Sequence, residues 1–303
     1  MSSDLQHRRI GLAGANGFIG SAILRHLHGI GFSPRTLCGP GTALENYTED
    51  LSCDLTDTAR LLRWVDGLEV VIHAAGPPSV RQSFEMPEEY VRIHAQGTTA
   101  LLQACRIAQV KKIVYLSSAD VYGRARKQPV AETHGSEARS PYGAAKIAAE
   151  KMIEAYAASF GLNAIVLRAF SIYGPNPTSE SLFGTILSMV KQGCVRLHDF
   201  RPVRDYCHVD DVAAAVSRAC AFPNDGLKFF NIGTGKGTSV AEFAQYVLHV
   251  LGKNLPVIEE RSRSRNQSEI FDLVADTTAA QNALGWTAKI NLQDGLRCAI
   301  EAS

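Results

Sequence analysis

A glycine-rich turn near the start of the chain constrains the fold more than any other feature of the sequence. Residues 14–20 read Gly-Ala-Asn-Gly-Phe-Ile-Gly, between an apolar run and a helical pattern. In a strand–turn–helix unit such glycines permit a tight bend, close approach of a pyrophosphate to the backbone, and close packing of helix on strand. The helix N-terminus then offers unpaired N–H groups to phosphate. The unit predicts a dinucleotide site at Gly14, Asn16, Gly17, Phe18, Ile19 and Gly20.

Short β-rich runs alternate with longer helical patterns along the chain. The predicted strands are 9–13, 35–38, 69–73, 112–116, 164–168 and 228–232, and the predicted helices are 18–30, 58–65, 90–108 and 142–160. This order predicts an α/β fold with a Rossmann-type, doubly wound parallel sheet. We expect residues 1–170 to form the NAD(P)-binding domain and 171–303 a smaller, interleaved C-terminal substrate-binding domain, with the strand near 228–233 rejoining the first sheet.

Composition excludes several classes of protein. The 303 residues carry a formal net charge of +1, which argues against a nucleic-acid partner because phosphate backbones require a basic surface. No apolar run reaches the roughly 20 residues that span a bilayer, and the start of the chain has no secretory signal. The seven cysteines form no CxxC pair, so we expect no metal site and a cytoplasmic location.

Tyr142 and Lys146 form a YxxxK motif at the start of a predicted helix. Residues four apart lie on one face of a helix, so the phenol and the ammonium point the same way. A neighbouring positive charge favours phenolate, and we therefore expect a lowered Tyr142 pKa. Tyr142 could then act as the base that takes a proton from a substrate hydroxyl.

Five segments together resemble one known family. They are the GxxGxxG turn, the YxxxK motif, and the runs VYLSSADVYG at 114–123, RAFSIYGP at 168–175 and RDYCHVDD at 204–211, with NIGTGKG at 231–237 in support. Their order and spacing resemble the extended short-chain dehydrogenase/reductase superfamily, and within it the NAD-dependent epimerase/dehydratase family that acts on nucleotide sugars. The resemblance covers nearly the whole chain.

The resemblance implies a role for each matching residue. Ser118, Tyr142 and Lys146 would oxidise C4 of a hexose linked to UDP or dTDP, and Tyr142 and Lys146 would also contact NAD. Further cofactor contacts would come from Asp54, Leu55, Ala74, Ala75 and Gly76, and substrate contacts from Ser117, Ser118, Ser171, Arg204 and Arg265. The alternative for Arg204 is an ion pair with Asp205, and for Arg265 a solvated loop.

Two departures from the family pattern leave cofactor and site details open. Cys38 stands where an acid usually holds the adenosine ribose, so NADP is not excluded, and Arg35 is a candidate ligand for its 2′-phosphate. His94 stands where many members have an asparagine, and it is either a buried core residue or a participant in the site. The family also implies a homodimer through the helices at 90–108 and 142–160.

Asp120 decides between two reaction outcomes at the sequence level. As a base at C5 it would drive loss of water from the 4-keto sugar, which makes the protein a 5,6- or 4,6-dehydratase. Ala119 precedes it, where ordinary 4,6-dehydratases carry an acid. The alternative is a UDP-sugar 4-epimerase, in which hydride returns to the opposite face of C4. An NADPH-dependent ketoreductase and a non-catalytic, NAD-dependent regulator are the less favoured interpretations.

Overall fold

The computed structural model describes residues 9–42, 51–223, 225–260 and 270–302. In chain order the strands are β1 (Ile10–Ala13), β2 (Arg35–Cys38), β3 (Leu51–Ser52), β4 (Val70–His73), β5 (Lys112–Ser118), β6 (Asn163–Ala169), β7 (Ser171–Tyr173), β8 (Val195–Leu197), β9 (Val203–Arg204), β10 (Tyr206–His208), β11 (Leu227–Ile232), β12 (Thr238–Ser239), β13 (Val257–Glu259) and β14 (Asp272–Leu273). Seven of them form a parallel sheet in the order β11-β6-β5-β4-β1-β2-β3.

Helices cover both faces of this sheet. In chain order they are α1 (Phe18–Gly29), α2 (Thr58–Val65), α3 (Val80–Glu85), α4 (Pro87–Val91), α5 (Thr98–Ile107), α6 (Pro141–Phe160), α7 (Leu182–Val190), α8 (Val209–Ala221), α9 (Val240–Val250), α10 (Thr278–Leu284) and α11 (Leu292–Glu301). Residues of α1 and α8 share one core with the sheet, and residues of α2, α5 and α6 share the other. Strands buried on both faces explain the continuous apolar runs of the sequence, and the Rossmann-type fold is confirmed.

The strand order reverses beside β1, which has β2 on one side and β4 on the other. In open α/β sheets ligands bind outside the carboxyl ends of the strands at such a switch point. The glycine-rich turn follows β1 and the Ala74–Gly76 loop follows β4. The topology therefore brings these two segments to one crevice.

The residues after 170 contribute to two bodies. The strand β11 pairs with β6 in the large sheet, and α8 packs on α1. A separate core forms around Phe183, Ile186, Phe243 and Leu296, from helices α7, α9 and α11. The chain thus crosses between the two bodies more than once. Within the described ranges no helix is long and apolar enough to cross a membrane.

The predicted helix at 90–108 is interrupted. A π-helical turn, Arg92–Gly97, separates α4 from α5. A π turn holds one more residue than an α turn and so changes which side chains face inward. Periodicity does not reveal this insertion, because the buried residues Tyr90, His94 and Gly97 have the spacings of four and three that an α-helix also gives.

Candidate active site

The glycine-rich turn has no space for side chains at two of its positions. A Cβ atom at Gly14 would lie 2.7 Å from the backbone of Ala75, and one at Gly20 would overlap the carbonyl oxygen of Gly14. Gly14 also has a φ of +85°, a conformation that other residues disfavour. The glycines therefore hold the end of β1 directly against the loop after β4.

The N-terminus of α1 fits an anionic ligand. Gly17 is its N-cap residue, and no side chain of the described residues caps this end. Its first-turn N–H groups are thus suited to a pyrophosphate, at the positive end of the helix dipole. Asn16, Gly17 and Phe18 also line a cavity of about 580 Å³, and the Asn16 amide donates to the Thr42 hydroxyl at 3.0 Å. Ile19 follows within the same first turn.

Asp54 and Leu55 lie after β3, where the resemblance places adenine contacts. Nη1 of Arg92 donates to both carboxylate oxygens of Asp54, at 2.9 and 2.7 Å. The backbone N–H of Thr56 also donates to Asp54, and this hydrogen bond lowers the pKa of the carboxyl group. Hydrogen-bond donors of the protein itself thus hold the Asp54 carboxylate. The adenine contacts of Asp54 and Leu55 stay a prediction.

Arg35 is not placed as a ligand of a ribose phosphate. Its Nη1 donates to the backbone oxygens of Trp64 and Asp66, each at 2.8 Å. Cys38 is buried at the end of β2. The structure therefore gives no support to the interpretation of Arg35 as a 2′-phosphate ligand.

All four predicted catalytic residues, Ser118, Asp120, Tyr142 and Lys146, meet where β5 ends and α6 begins. Ser118 ends β5, and its hydroxyl donates to Oδ2 of Asp120 at 2.9 Å. Asp120 lies in a short 3-10 turn, and its own N–H donates back to Oγ of Ser118 at 3.1 Å. Nζ of Lys146 donates to the Leu116 carbonyl at 2.8 Å and lies 5.9 Å from the centre of the Tyr142 ring.

Burial dominates the electrostatics of this group. It raises the pKa of Tyr142, an effect that the charge of Asp120 strengthens and a hydrogen bond with Ser118 weakens. It also lowers the pKa of Lys146 to about 7 and raises that of Asp120. The lowered Tyr142 pKa expected from the sequence is therefore wrong for the protein alone, because the argument from a neighbouring ammonium left out the loss of hydration.

His94 packs against the catalytic tyrosine. Its ring stands edge-on to that of Tyr142, with centroids 5.5 Å apart, and its Nε2–H donates to the Pro77 carbonyl at 3.0 Å. Burial lowers its pKa to about 2, so the imidazole is neutral. Gly76 has a φ of +124°, and a Cβ atom there would overlap the His94 ring. His94 thus separates Tyr142 from the Ala74–Gly76 loop.

The sequence model of the NAD dependent epimerase/dehydratase family matches residues 10–233. This chain belongs to that family. The UDP-glucose 4-epimerase of Streptomyces lividans is 31% identical over 91% of this chain and 90% of the relative.

Solved structures of epimerase/dehydratase-type proteins show the same architecture. MoeE5, in complex with UDP-glucuronic acid and NAD, superposes with a TM-score of 0.88 at 29% identity, over 97% of this chain and 98% of its own. UDP-glucose 4-epimerase of Thermotoga maritima, with UDP-glucose, gives 0.87 at 29% identity and the same coverage. The likeness spans both bodies of the chain.

Ser117 does not share the position of its catalytic neighbour. Successive residues of a strand point to opposite faces, and the Ser117 hydroxyl donates to Oε1 of Glu150 at 2.5 Å. The structure therefore gives no support to its predicted substrate contact, because the hydroxyl is buried and already bonded to Glu150.

Arg204 makes no ion pair with Asp205. Its Nη1 and Nη2 donate to the backbone oxygens of Val203, Phe271 and Ile270, at 2.6 to 3.0 Å. Asp205 is fully buried and accepts from Thr234, Gly235 and Ala275. Burial raises the pKa of Asp120 and the charge of Arg204 opposes that shift, so the Arg204 side chain lies near the catalytic group.

Two further predicted substrate contacts have different outcomes. Ser171 begins β7, and its N–H donates to the Asp205 carbonyl, which ties it to the strand that follows Arg204. Ser171 and Arg204 therefore lie near each other. Arg265 lies outside the described residues.

The sequence argument missed a buried polar network behind the catalytic group. It joins Glu150 of α6, Arg168 of β6, Tyr122 and Asn231 through hydrogen bonds of 2.6 to 3.1 Å. Tyr122, Arg168 and Asn231 lie in the segments that carry the family resemblance. Glu150 lies four residues after Lys146. The signal that could have found the network is a charged residue within a run that is otherwise apolar.

Proposed function

We propose that the protein is an NAD-dependent 4-epimerase of a UDP-linked hexose. The observation that carries this proposal is the orientation of Asp120, whose carboxylate accepts a hydrogen bond from the Ser118 hydroxyl. That contact directs Asp120 toward the group that handles the C4 hydroxyl. The names of the relatives, which are UDP-glucose 4-epimerases, support the same outcome.

The residues of the chain divide the chemistry between them. Ser118 orients the C4 hydroxyl, and Tyr142 takes its proton and later returns it to the C4 oxygen. The glycine-rich turn and the N-terminus of α1 would hold NAD, which would supply reversible hydride transfer at C4. Lys146, which lies beside the Tyr142 ring, favours the phenolate by its charge. Because the hydride and the proton are both returned, the epimerisation is redox-neutral.

Elimination of water is the second candidate, and Asp120 is the specific reason to keep it. Burial raises the pKa of this carboxyl group, as a base for C5 requires. Ala119 beside it is buried and apolar, so this position supplies no acid for the departing hydroxyl. Ketoreduction and a purely regulatory role have no such observation in their favour.

A panel of UDP- and dTDP-hexoses, analysed by mass spectrometry and chromatography, tests the proposal. We expect a product of unchanged mass and new retention time, formed without added NAD. Loss of one water would establish the dehydratase instead, and a strict need for stoichiometric NADPH would establish a ketoreductase.

The variant Asp120→Asn sharpens this test. For an epimerase, we expect the variant to lose about 0.5–1.5 kcal/mol of transition-state stabilisation, as for one hydrogen bond. Neither wild type nor the variant should exchange solvent deuterium at C5. For a dehydratase, wild type would exchange C5 and the variant would stop after C4 oxidation. Exchange at C5 by wild type would therefore contradict the epimerase.

A further inference from the structure

A buried ion pair lies directly behind the catalytic group. The side chains of Glu150 and Arg168 are 5% and 6% exposed. Nε and Nη2 of Arg168 donate to the two carboxylate oxygens of Glu150, at 3.1 and 2.7 Å. This two-armed contact is the arrangement in which arginine binds a carboxylate anion most specifically. Glu150 is thus fixed in place from the side of β6.

Glu150 is also fixed from the side of β5. Lys146 and Glu150 lie one helical turn apart on the buried face of α6. Lys146 donates to the carbonyl of Leu116, and the next residue, Ser117, donates to Glu150. Two successive residues of β5 are therefore tied to α6 immediately before Ser118.

Neutral rings from four elements surround the Lys146 ammonium. The titratable groups that face it, besides Glu150, are His73 of β4, His94 of the π turn, Tyr115 of β5 and Tyr142 of α6. Burial lowers the pKa of His73 to about 3 and that of His94 to about 2, so both are neutral. Burial also lowers the pKa of Lys146, and the charge of Glu150 opposes that shift.

We propose that Glu150 is a positioning residue for the reaction. Its carboxylate holds the end of β5 against α6 and supplies the negative charge that keeps Lys146 protonated beside Tyr142. Arg168 keeps this carboxylate in place. The inference rests on the proposed function, because it assumes that a charged Lys146 serves Tyr142 in catalysis.

The variant Glu150→Gln tests this role through the pH profile of kcat. Without the anion Lys146 loses its proton at lower pH, so we expect the alkaline limb to move down by about one pH unit. The matched control is Ser117→Ala, which removes a hydrogen bond to the same carboxylate and keeps its charge. It should lower thermal stability and leave the limb in place. An unmoved limb in Glu150→Gln, or an equal shift in Ser117→Ala, would overturn the proposal.

A second variant covers the case in which Glu150→Gln does not fold, since it leaves Arg168 buried without its partner. The double variant Glu150→Gln/Arg168→Gln removes both charges together. Glu150 is the charged group that raises the pKa of Lys146 against the effect of burial, and the double variant removes it just as the single variant does. We therefore expect the same movement of the alkaline limb in the double variant, and its absence would contradict the proposal.

Titration of lysine side chains by NMR separates this proposal from the proposed function. The Lys146 signal, assigned with Lys146→Arg, should titrate at lower pH in the double variant than in wild type. This measurement requires no turnover. If the protein does not epimerise but the Lys146 pKa shifts in the double variant, the proposed function is wrong and Glu150 still holds the charge of Lys146. If the protein is an active epimerase and the Lys146 pKa does not shift, only the proposal for Glu150 is wrong.

Discussion

At the scale of single residues, Tyr142 carries the proposed proton transfer. Replacement of Tyr142 by Phe removes the phenolic oxygen and keeps the ring that packs on His94 and Tyr90. We expect kcat to fall by about 10²–10⁴-fold with the content of bound NAD unchanged. Steady-state kinetics and cofactor release on denaturation measure both quantities.

Tyr156→Phe is the matched control on the same helix. Its hydroxyl donates to Gln103 at 3.1 Å, on the part of α6 that packs against α5. This variant should keep kcat within a few-fold of wild type. If Tyr142→Phe behaves like Tyr156→Phe, another residue is the base.

The buried side chain of His73 makes the stability of the folded protein depend on pH. Burial lowers its pKa from 6.5 to about 3. Below about pH 6.5 the unfolded chain binds a proton at this site and the folded chain does not, so stability is lost as the pH falls toward 3. This slope is at most about 1.4 kcal/mol per pH unit for one group. We expect His73→Gln to reduce the loss of free energy of unfolding between about pH 6.5 and pH 5.

Urea denaturation across this pH range measures the slope. His249→Gln, at an exposed histidine of α9, is the control and should leave the slope as in wild type. Equal slopes in wild type and His73→Gln would show that His73 does not remain neutral in the folded protein.

At the scale of elements, the first turn of α6 determines the position of the catalytic tyrosine. The Ser140 hydroxyl accepts from the N–H of Gly143 at 3.0 Å, and Pro141 occupies the first turn. We expect Ser140→Ala to cost about 1 kcal/mol of stability. Because Tyr142 lies in the turn that loosens, kcat should fall as well. Urea denaturation and steady-state kinetics test the two effects.

Ser239→Ala separates the two effects. Ser239 caps α9 in the same way, accepting from the N–H of Glu242 at 3.2 Å, but α9 belongs to the core of the smaller body. We expect a similar loss of stability and an unchanged kcat. A loss of kcat in both variants would mean that global stability, and not the start of α6, governs activity.

At the scale of the whole molecule, we propose that two copies associate through α5 and α6. Ile107 and Phe160, near the ends of these helices, are 51% and 54% exposed. Exposed large apolar side chains on neighbouring helices are typical of an interaction surface. Light scattering should therefore give twice the monomer mass, and Ile107→Asp/Phe160→Asp should give the monomer. A wild-type monomer at all accessible concentrations would contradict this assembly.

The amino-acid sequence alone predicts the parallel sheet and the residues that could take part in catalysis. Apolar runs and helical periodicity follow directly from burial on both faces of a sheet, so five of the six predicted strands match the structure within one residue at each end, and β5 continues to Ser118. The spacing of Tyr142 and Lys146 placed both on one helix face because helix geometry is local. Such features need no knowledge of which segments meet.

How these residues act depends on the folded protein. The burial that raises the Tyr142 pKa and the contact of His94 with Tyr142 depend on several elements meeting at one edge of the sheet. The pair of Glu150 and Arg168 joins α6 to β6, across 18 residues of chain. Hydration, charge and orientation at a site are set by neighbours distant in sequence, and periodicity carries no record of those neighbours.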